Sequence, residues 1–481
     1  MYSDLRKSKL IIFIIFSFAI HCLASYFSVG FYSQDEHFQI LSPVEFLLGI
    51  NDNLYQEIWE FSDDYRIRPW FQSYIYFYII KLLQFFSIEN PFIWTFFLKI
   101  IFSVLSLTTL ILFYLNFKNR LFEDNNFNRF LILLFCFYPF FHSRTSSENL
   151  GMSFFIIGIL FFDFLLQLKN NNKYFYYQIL SGIFFGLAII ARYQILIFVF
   201  GIYLWVLIFS LNYNNIKSLL IISFNIILVL IFGLVFDTFG YQKINITYYN
   251  YFHANFISGM LDFFGKEPWW FYFIEIPKSF FPPIGILFLI SFIYLIYKKF
   301  NNLIIFISFF YLLVFVIIGH KELRFLFPLL FFSPFFICFF LDSLIKSKFV
   351  YLIKVLLVFF NLIFLIIFSI IPATEQVGLY KYIYENKNEL TNIYYEDDNP
   401  YLIAGLNPKL YTHYLPEITK LNNLNVNDKF YLITRKQLII QSFSHFKCLK
   451  KYSVYPDFIY INPNWKKHKF NWYLFYCNKI T

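Results

Sequence analysis

The sequence predicts an all-α polytopic membrane protein of about 11 transmembrane helices, followed by a small extracytoplasmic domain of α/β or mixed structure. Three observations predict it. Of the 481 residues, 59% are hydrophobic and only 14% are charged, far more apolar surface than one soluble core can bury. The apolar residues gather in long runs, many near the ~20 residues that a straight helix needs to cross a bilayer. From Pro372 onward that character is lost, and the chain becomes mixed polar and aromatic with turn-rich pieces such as Glu396-Asp397-Asp398-Asn399-Pro400.

The elements follow in order. A basic start (Arg6, Lys7, Lys9) precedes about twenty apolar residues with no small-residue cleavage site, which reads as an uncleaved signal anchor. Residues 10–30 are the first crossing and deliver the acid-rich loop 31–70 to the outer face. Further crossings are predicted at 92–117, 128–142, 150–168, 177–190, 194–211, 216–236, 280–297, 302–318, 324–341 and 349–371. The apolar stretch 71–88, which carries Lys81 and Gln84, is read as an interfacial or re-entrant helix, because counting it as a crossing would reverse every later loop. The cytoplasmic connections then hold Lys118 and Arg120, Lys169 and Lys173, Lys217, Lys298 and Lys299, and Lys346 and Lys348, as the positive-inside rule asks. Two domains result: residues 1–371 span the membrane, with 31–70 and 237–279 forming the active-site face, and residues 372–481 form a soluble domain on the non-cytoplasmic side.

Composition also excludes classes. The net charge is +10, but the Lys and Arg lie mostly in short connections and in the C-terminal tail, which orients a membrane protein and does not describe a nucleic-acid surface. The 74 Phe are core and lipid-facing bulk. The five cysteines show no paired metal-ligand spacing; Cys22, Cys136 and Cys338 sit in apolar spans, which leaves Cys448 and Cys477 as the pair able to form a disulfide. No internal repeat and no heptad array is present.

Several polar features fall on the outer face under this topology. In Ser33-Gln34-Asp35-Glu36-His37-Phe38-Gln39, two adjacent carboxylates follow the first crossing directly. A solvated loop would carry such acids too; the chemical reading is that Asp35 or Glu36 deprotonates an acceptor hydroxyl. Arg66 and Arg68, before Pro69-Trp70, suit interfacial phosphate, where basic residues and Trp also act as plain headgroup anchors. Arg144-Thr145-Ser146-Ser147-Glu148-Asn149 reads as a capped helix start. Arg192, between two spans, stays charged at any accessible pH and grips phosphate with a bidentate fork. The connection 237–279 is denser in Asn, Gly and Asp than an aromatic belt requires, and suits an amphipathic re-entrant helix that touches sugar. Finally, His320-Lys321-Glu322-Leu323-Arg324 packs four ionisable side chains into five positions between apolar segments. Such a cluster has a job in a polar cavity or the headgroup layer: it neutralises a lipid-linked phosphate leaving group, or Glu322 and Arg324 form a buried ion pair, and the two are compatible if Glu322 orients Arg324.

These stretches resemble a family. Gln34-Asp35-Glu36-His37-Phe38-Gln39 is similar to the Pro-Asp-Glu loop of the glycosylphosphatidylinositol mannosyltransferases (glycosyltransferase family 22, GT-C superfamily), with Gln34 where proline is usual. Arg66-Ile67-Arg68 resembles the Arg pair after that loop. Arg144-Thr145 with Glu148-Asn149, and then Arg192-Tyr193-Gln194, fall in the expected order. Asp237, Gly240-Tyr241, Tyr249-Asn250-Tyr251-Phe252, Asn255, Gly259, Phe264-Gly265 and Pro268-Trp269-Trp270 resemble the family's long loop. His320-Lys321-Glu322-Leu323-Arg324-Phe325 is similar to its His-Lys-Glu-x-Arg-Phe motif.

The resemblance implies a GT-C fold and an enzyme that moves a sugar, typically mannose, from a polyprenyl-phosphate donor to a lipid-linked glycan or glycolipid, with inversion, on the non-cytoplasmic face. Asp35 is the implied base, with Glu36 competing. Arg192, His320, Lys321 and Arg324 would hold donor phosphate, and Arg66, Arg68, Arg144, Glu148, Asn250, Asn255 and Trp269 would contact substrate. No cofactor and no metal ligands are expected, although a divalent cation recruited by carboxylates together with donor phosphate stays open. The expected partners are donor, acceptor and membrane lipid, without nucleic acid. The expected location is a multi-pass position in the inner or plasma membrane of a bacterium, or in the endoplasmic reticulum of a eukaryote. A lipid-glycan transporter or flippase is the rival from another class, and a GT-C ligase acting on protein or a lipid A-like acceptor is the enzymatic rival.

Overall fold

The structure is a computed structural model that describes residues 2–167, 174–396, 398–421, 428–435, 446–455 and 471–479. Lys169, Lys173 and Asp397 lie outside the described residues. The described chain divides into two compact units: residues 1–25, 59–75 and 98–370 form one, and residues 26–58, 76–97 and 371–481 the other. The acidic loop read as one piece, 31–70, is therefore divided between them at residue 58.

The first unit is helical and apolar. Across the described chain, seven helices are long and apolar enough to cross a bilayer: Ser8–Phe27, Pro91–Phe117, Ser147–Gln167, Tyr174–Ala191, Asn214–Tyr241, Pro282–Lys299 and Lys348–Ile370. An eighth crossing is present if Leu323–Leu330 and Ser333–Ser343, bent by 56° at their junction, count as one. The remaining expected crossings are short or broken. Tyr193–Phe209 and Leu303–Ile317 are apolar but shorter, and the stretch 128–142 is two helices, Asn126–Leu133 and Tyr138–His142, with Pro139 in the first turn of the second. Proline cannot donate the backbone bond of a helix interior, so it is tolerated where a new helix begins. Backbone groups freed by such a break need partners inside an apolar layer. Asn361, fully buried on Lys348–Ile370, supplies them: its side chain accepts from Cys136 N–H at 2.9 Å and donates to Leu134 O at 2.7 Å.

The helix Phe71–Phe85 occupies the stretch read as interfacial or re-entrant. At 1.5 Å per residue its 15 residues reach about 22 Å, short of a ~30 Å hydrocarbon layer. Glycines let the helix Tyr174–Ala191 approach its neighbour closely. A Cβ on Gly182 or Gly186 would sit 2.6 Å from the Cβ of Asn225 or Val229 on the helix Tyr213–Tyr241, the small-residue contact favoured between helices in lipid. Asp163 is a buried acid within an apolar helix and is matched by Arg120 through bonds of 2.7 and 2.9 Å.

The second unit carries a sheet of β1 (Ile393–Tyr395), β2 (Ile418–Lys420), β3 (Lys429–Thr434), β4 (Phe446–Ser453) and β5 (Tyr473–Lys479) in the order β2-β1-β3-β5-β4. The β2–β1 and β1–β3 pairs are parallel, and the β3–β5 and β5–β4 pairs antiparallel. The helix Glu375–Glu385 buries Val377, Tyr380 and Ile383 in one cluster with Phe31, Ile393 and Trp472. Phe31 belongs to the outer loop of the sequence reading, so part of that loop is core of this mixed unit. Cys448 and Cys477 face each other across β4 and β5 and form a disulfide, the pair that elimination had left. Removing it by Cys448→Ser with Cys477→Ser is expected to lower stability by about 3 kcal/mol, because the crosslink restricts the unfolded chain; protease resistance of the variant measures it.

Candidate active site

The acidic pair lies in the second unit. Ser33 is extended and the chain turns into helix at Gln34–Glu36, after which a wide π-helical turn spans His37–Leu41. Such turns store irregular geometry and cluster at functional positions. The two neighbouring carboxylates have different surroundings. Glu36 is buried and its Oε2 accepts Tyr32 N–H at 2.9 Å, whereas Asp35 is half-buried. Behind them His37 and Glu45 are fully buried and joined by a 2.9 Å bond, and the same Glu45 oxygen accepts Leu410 N–H at 2.6 Å. His37 is thus a strut of the scaffold.

In the first unit, three groups of the predicted residues take shape. The segment that carries Arg66 and Arg68 is tied to the end of the helix Tyr213–Tyr241 and the turns after it. Asp237 accepts Trp70 N–H at 2.8 Å and also the Thr247 hydroxyl. Tyr241 bonds both backbone groups of Arg68, at 3.1 and 2.8 Å. Asn245 donates to Arg66 O at 3.0 Å, and Asn250 donates to Asn245 at 2.8 Å. The side chains are paired as well, Arg66 with Asp63 and Arg68 with Glu60. Asp63 is exposed, and the hydrogen bond and charge of Arg66 hold its carboxyl below the usual range. Asn250 is therefore a brace for the Arg66 backbone, and Asn255 bonds Tyr251 O in its own helical turn at 2.8 Å. The anchoring of Trp70 by Asp237, 167 residues away along the chain, is visible only in the fold.

Gly240 makes that anchoring possible. A Cβ there would lie 2.1 Å from the Trp70 ring. Gly240→Ala is expected to displace the indole and with it the Arg66–Trp70 segment, costing about 1–3 kcal/mol as overpacking does; a lowered unfolding temperature together with a changed Trp emission would report it.

The second group is Arg144, Glu148 and Arg192. Arg192 pairs with Glu148 at 2.8 Å, both nearly buried, and its Nη1 lies 3.3 Å from Ser147 Oγ. Arg144 is buried, donates from Nε to Phe140 O at 3.0 Å and lies 4.0 Å from the Phe140 ring centre. Ser146 and Asn149 bond around the start of the helix Ser147–Gln167, as a capped start requires. Arg144 and Glu148 also line a cavity of about 40 Å³ with Ser146, Asn149 and His142.

The third group is the charged pentapeptide. Glu322 accepts from Arg324 Nη2 at 2.9 Å, with Arg324 Nε 2.6 Å from its other oxygen, and lies 3.1 Å from His320, so the ion pair weighed in the sequence is formed, half-buried. Lys321 turns away from them: its ammonium donates to the backbone oxygens of Glu267, Ile318 and Gly319. It clips two loops together, while Arg324 and the His320 ring stay beside Glu322. Trp269 is 61% exposed and packs edge-on against Trp270. Among the described residues, no group of three or more His, Cys, Asp or Glu side chains is placed to hold a metal ion.

The sequence profile of the Alg9-like mannosyltransferase family matches residues 11–403, most of the chain and all of the groups above. The chain belongs to this family. Among curated relatives, GPI mannosyltransferase 3 of Candida albicans is 27% identical over 187 residues, covering 39% of this chain and 36% of that one. GPI mannosyltransferase 3 of Debaryomyces hansenii is 27% identical over 256 residues, 51% of this chain and 42% of that one. These matches thus cover well under two thirds of either relative's length. Solved structures share the fold at low identity. ArnT from Cupriavidus metallidurans bound to undecaprenyl phosphate superposes with a TM-score of 0.51 at 9% identity over 97% of each chain. The Archaeoglobus fulgidus oligosaccharyltransferase does so with a TM-score of 0.51 at 12% identity, over 85% of this chain and 62% of that one. This member of the Alg9-like family is accordingly a multi-pass membrane protein of GT-C fold.

Proposed function

We propose that the chain is an inverting mannosyltransferase that takes mannose from a polyprenyl-phosphate donor and adds it to a lipid-linked glycan on the non-cytoplasmic face. Family membership supplies the reaction class, and the observation that carries the assignment of roles is the unequal setting of the acidic pair. Glu36 is buried on the Tyr32 amide, while Asp35, half-buried one residue earlier, keeps the partial shielding from water that a general base requires. Asp35 takes the proton of the acceptor hydroxyl as that oxygen attacks the anomeric carbon. The bond to the phosphate breaks on the opposite side, and the polyprenyl phosphate leaves with the electron pair. Cations stabilise that departing charge most where water is excluded; Arg324, aligned by Glu322, and His320 are assigned to it. The Cys448–Cys477 disulfide supports the outward placement of the second unit, since such bonds persist in oxidising compartments.

Purified protein incubated with labelled polyprenyl-phosphate mannose and native lipid extract, with and without chelator, is expected to yield labelled glycolipid. Absence of label in lipid under both conditions would reject the reading. Arg324→Ala is expected to raise the KM for donor about tenfold, the worth of one charge-assisted hydrogen bond. An unchanged KM with reduced protein yield would leave Arg324 with the ion pair alone.

A further inference from the structure

Two buried histidines that the proposed chemistry leaves unused share one hydrogen bond. His21, on the helix Tyr2–Phe27, and His142, at the end of Tyr138–His142, are 1% and 4% exposed, and His21 Nε2 lies 2.9 Å from His142 Nδ1. His21 Nδ1 lies 2.7 Å from Ser17 O. A carbonyl oxygen only accepts, so His21 Nδ1 carries a proton. In the neutral ring the other nitrogen, Nε2, is then a lone pair. It accepts from His142 Nδ1–H, and the tautomer of the second ring follows: Nε2 of His142 is the nitrogen left with a lone pair. The arrangement is held at both ends. The Ser17 hydroxyl donates to Leu133 O at 2.6 Å, and the His142 ring stacks on Tyr138, with centres 4.9 Å apart and planes 11° apart.

His142 lines the cavity that also holds Arg144, Ser146, Glu148 and Asn149. At about 40 Å³ this space takes about three or four waters, at roughly 10–15 Å³ each by this measure. That is room for a hydroxyl or hydroxymethyl substituent. Its wall carries acceptors, the Glu148 carboxylate and the His142 ring, and a donor, the Arg144 guanidinium, beside serine hydroxyls and the Asn149 amide that can do either. A hydroxyl group, donor and acceptor at once, answers both.

We propose that this cavity is a hydroxyl-recognising subsite for a sugar substituent, with His142 Nε2 as acceptor and His21 as the positioning residue that fixes its tautomer. The proposal rests on the sugar-transfer reading. The substituent belongs to the sugar of the donor or of the acceptor, and one experiment separates the two. Nitrogen resonances of ¹⁵N-histidine-labelled full-length protein in lipid nanodiscs are expected to show His142 protonated at Nδ1. Its Nε2 resonance is expected to shift on adding polyprenyl-phosphate mannose if the donor sugar binds there, or on adding the glycolipid acceptor if that sugar does. Polyprenyl phosphate without sugar should leave it unmoved. His21→Phe keeps the ring volume but releases His142 Nδ1, so the two tautomers should mix and the KM for that same sugar substrate should rise about tenfold, one hydrogen bond's worth, with kcat little changed. Wild-type His142 protonated at Nε2, or an Nε2 resonance indifferent to both sugar-bearing lipids, would overturn the proposal and leave a water-filled cavity. Because these resonances are read on the wild-type protein, they decide the matter even if His21→Phe fails to fold. A protein that transfers no mannose but whose Nε2 responds to a sugar-bearing lipid would reject the proposed reaction and keep the subsite.

Discussion

Asp35→Asn is expected to abolish mannosyl transfer, with a loss of about 10²–10⁴ from removal of a general base, while yield, unfolding temperature and donor binding stay near wild type. Asparagine keeps the size of the side chain and removes only its basicity, and at a half-buried position that exchange costs little stability. The neighbouring acid is the built-in control. Glu36→Gln retains an oxygen able to accept the Tyr32 amide, so the turn should persist and transfer should continue. The reverse pattern, an active Asp35→Asn beside an inactive Glu36→Gln, would move the base by one residue. Rates measured on both variants with labelled donor distinguish the outcomes without any assumption about the acceptor.

The second large effect is expected from Arg192→Leu. Arg192 and Glu148 pair at 2.8 Å with side-chain exposures of 8% and 10%. Removing one member of a buried pair leaves the charge of the other uncompensated, which costs about 3–5 kcal/mol. Leucine at 192 should therefore lower the unfolding temperature sharply in detergent or nanodiscs. Neutralising the stranded acid as well, in Arg192→Leu with Glu148→Gln, should restore most of the loss, because the penalty arises from an uncompensated charge. A double variant no more stable than the single one would show the two side chains acting independently.

Much of this protein is legible from its residues. The apolar runs mark most of the helices, since hydrocarbon accepts little else, and the ordered polar motifs mark the family. The crossings were less legible. Residues 128–142 read as one continuous span because composition does not reveal that Asn361, more than two hundred positions later, satisfies the backbone of a break there. The acidic loop read as a single outer element, yet Phe31 is core of the mixed unit and Trp70 is anchored on Asp237. Among the site residues, Arg192 with Glu148 and Glu322 with Arg324 meet as ion pairs, the latter one of the two readings the charged cluster offered and the former not foreseen. Lys321 was indistinguishable from its cationic neighbours until its ammonium was seen on three carbonyls. The histidine pair was missed because each ring lies alone in an apolar stretch, 121 residues from the other.

By itself the sequence determined the solvent of this protein, its helical class, its disulfide partners and the chemical types present on its polar stretches. These properties depend on composition, local periodicity and elimination, and need no knowledge of which helix lies beside which. Only the tertiary structure decided what each charge and ring does there. The same lysine or carboxylate becomes a strut or a reagent according to the partners that folding brings within 3 Å, and those partners stand tens to hundreds of residues away along the chain.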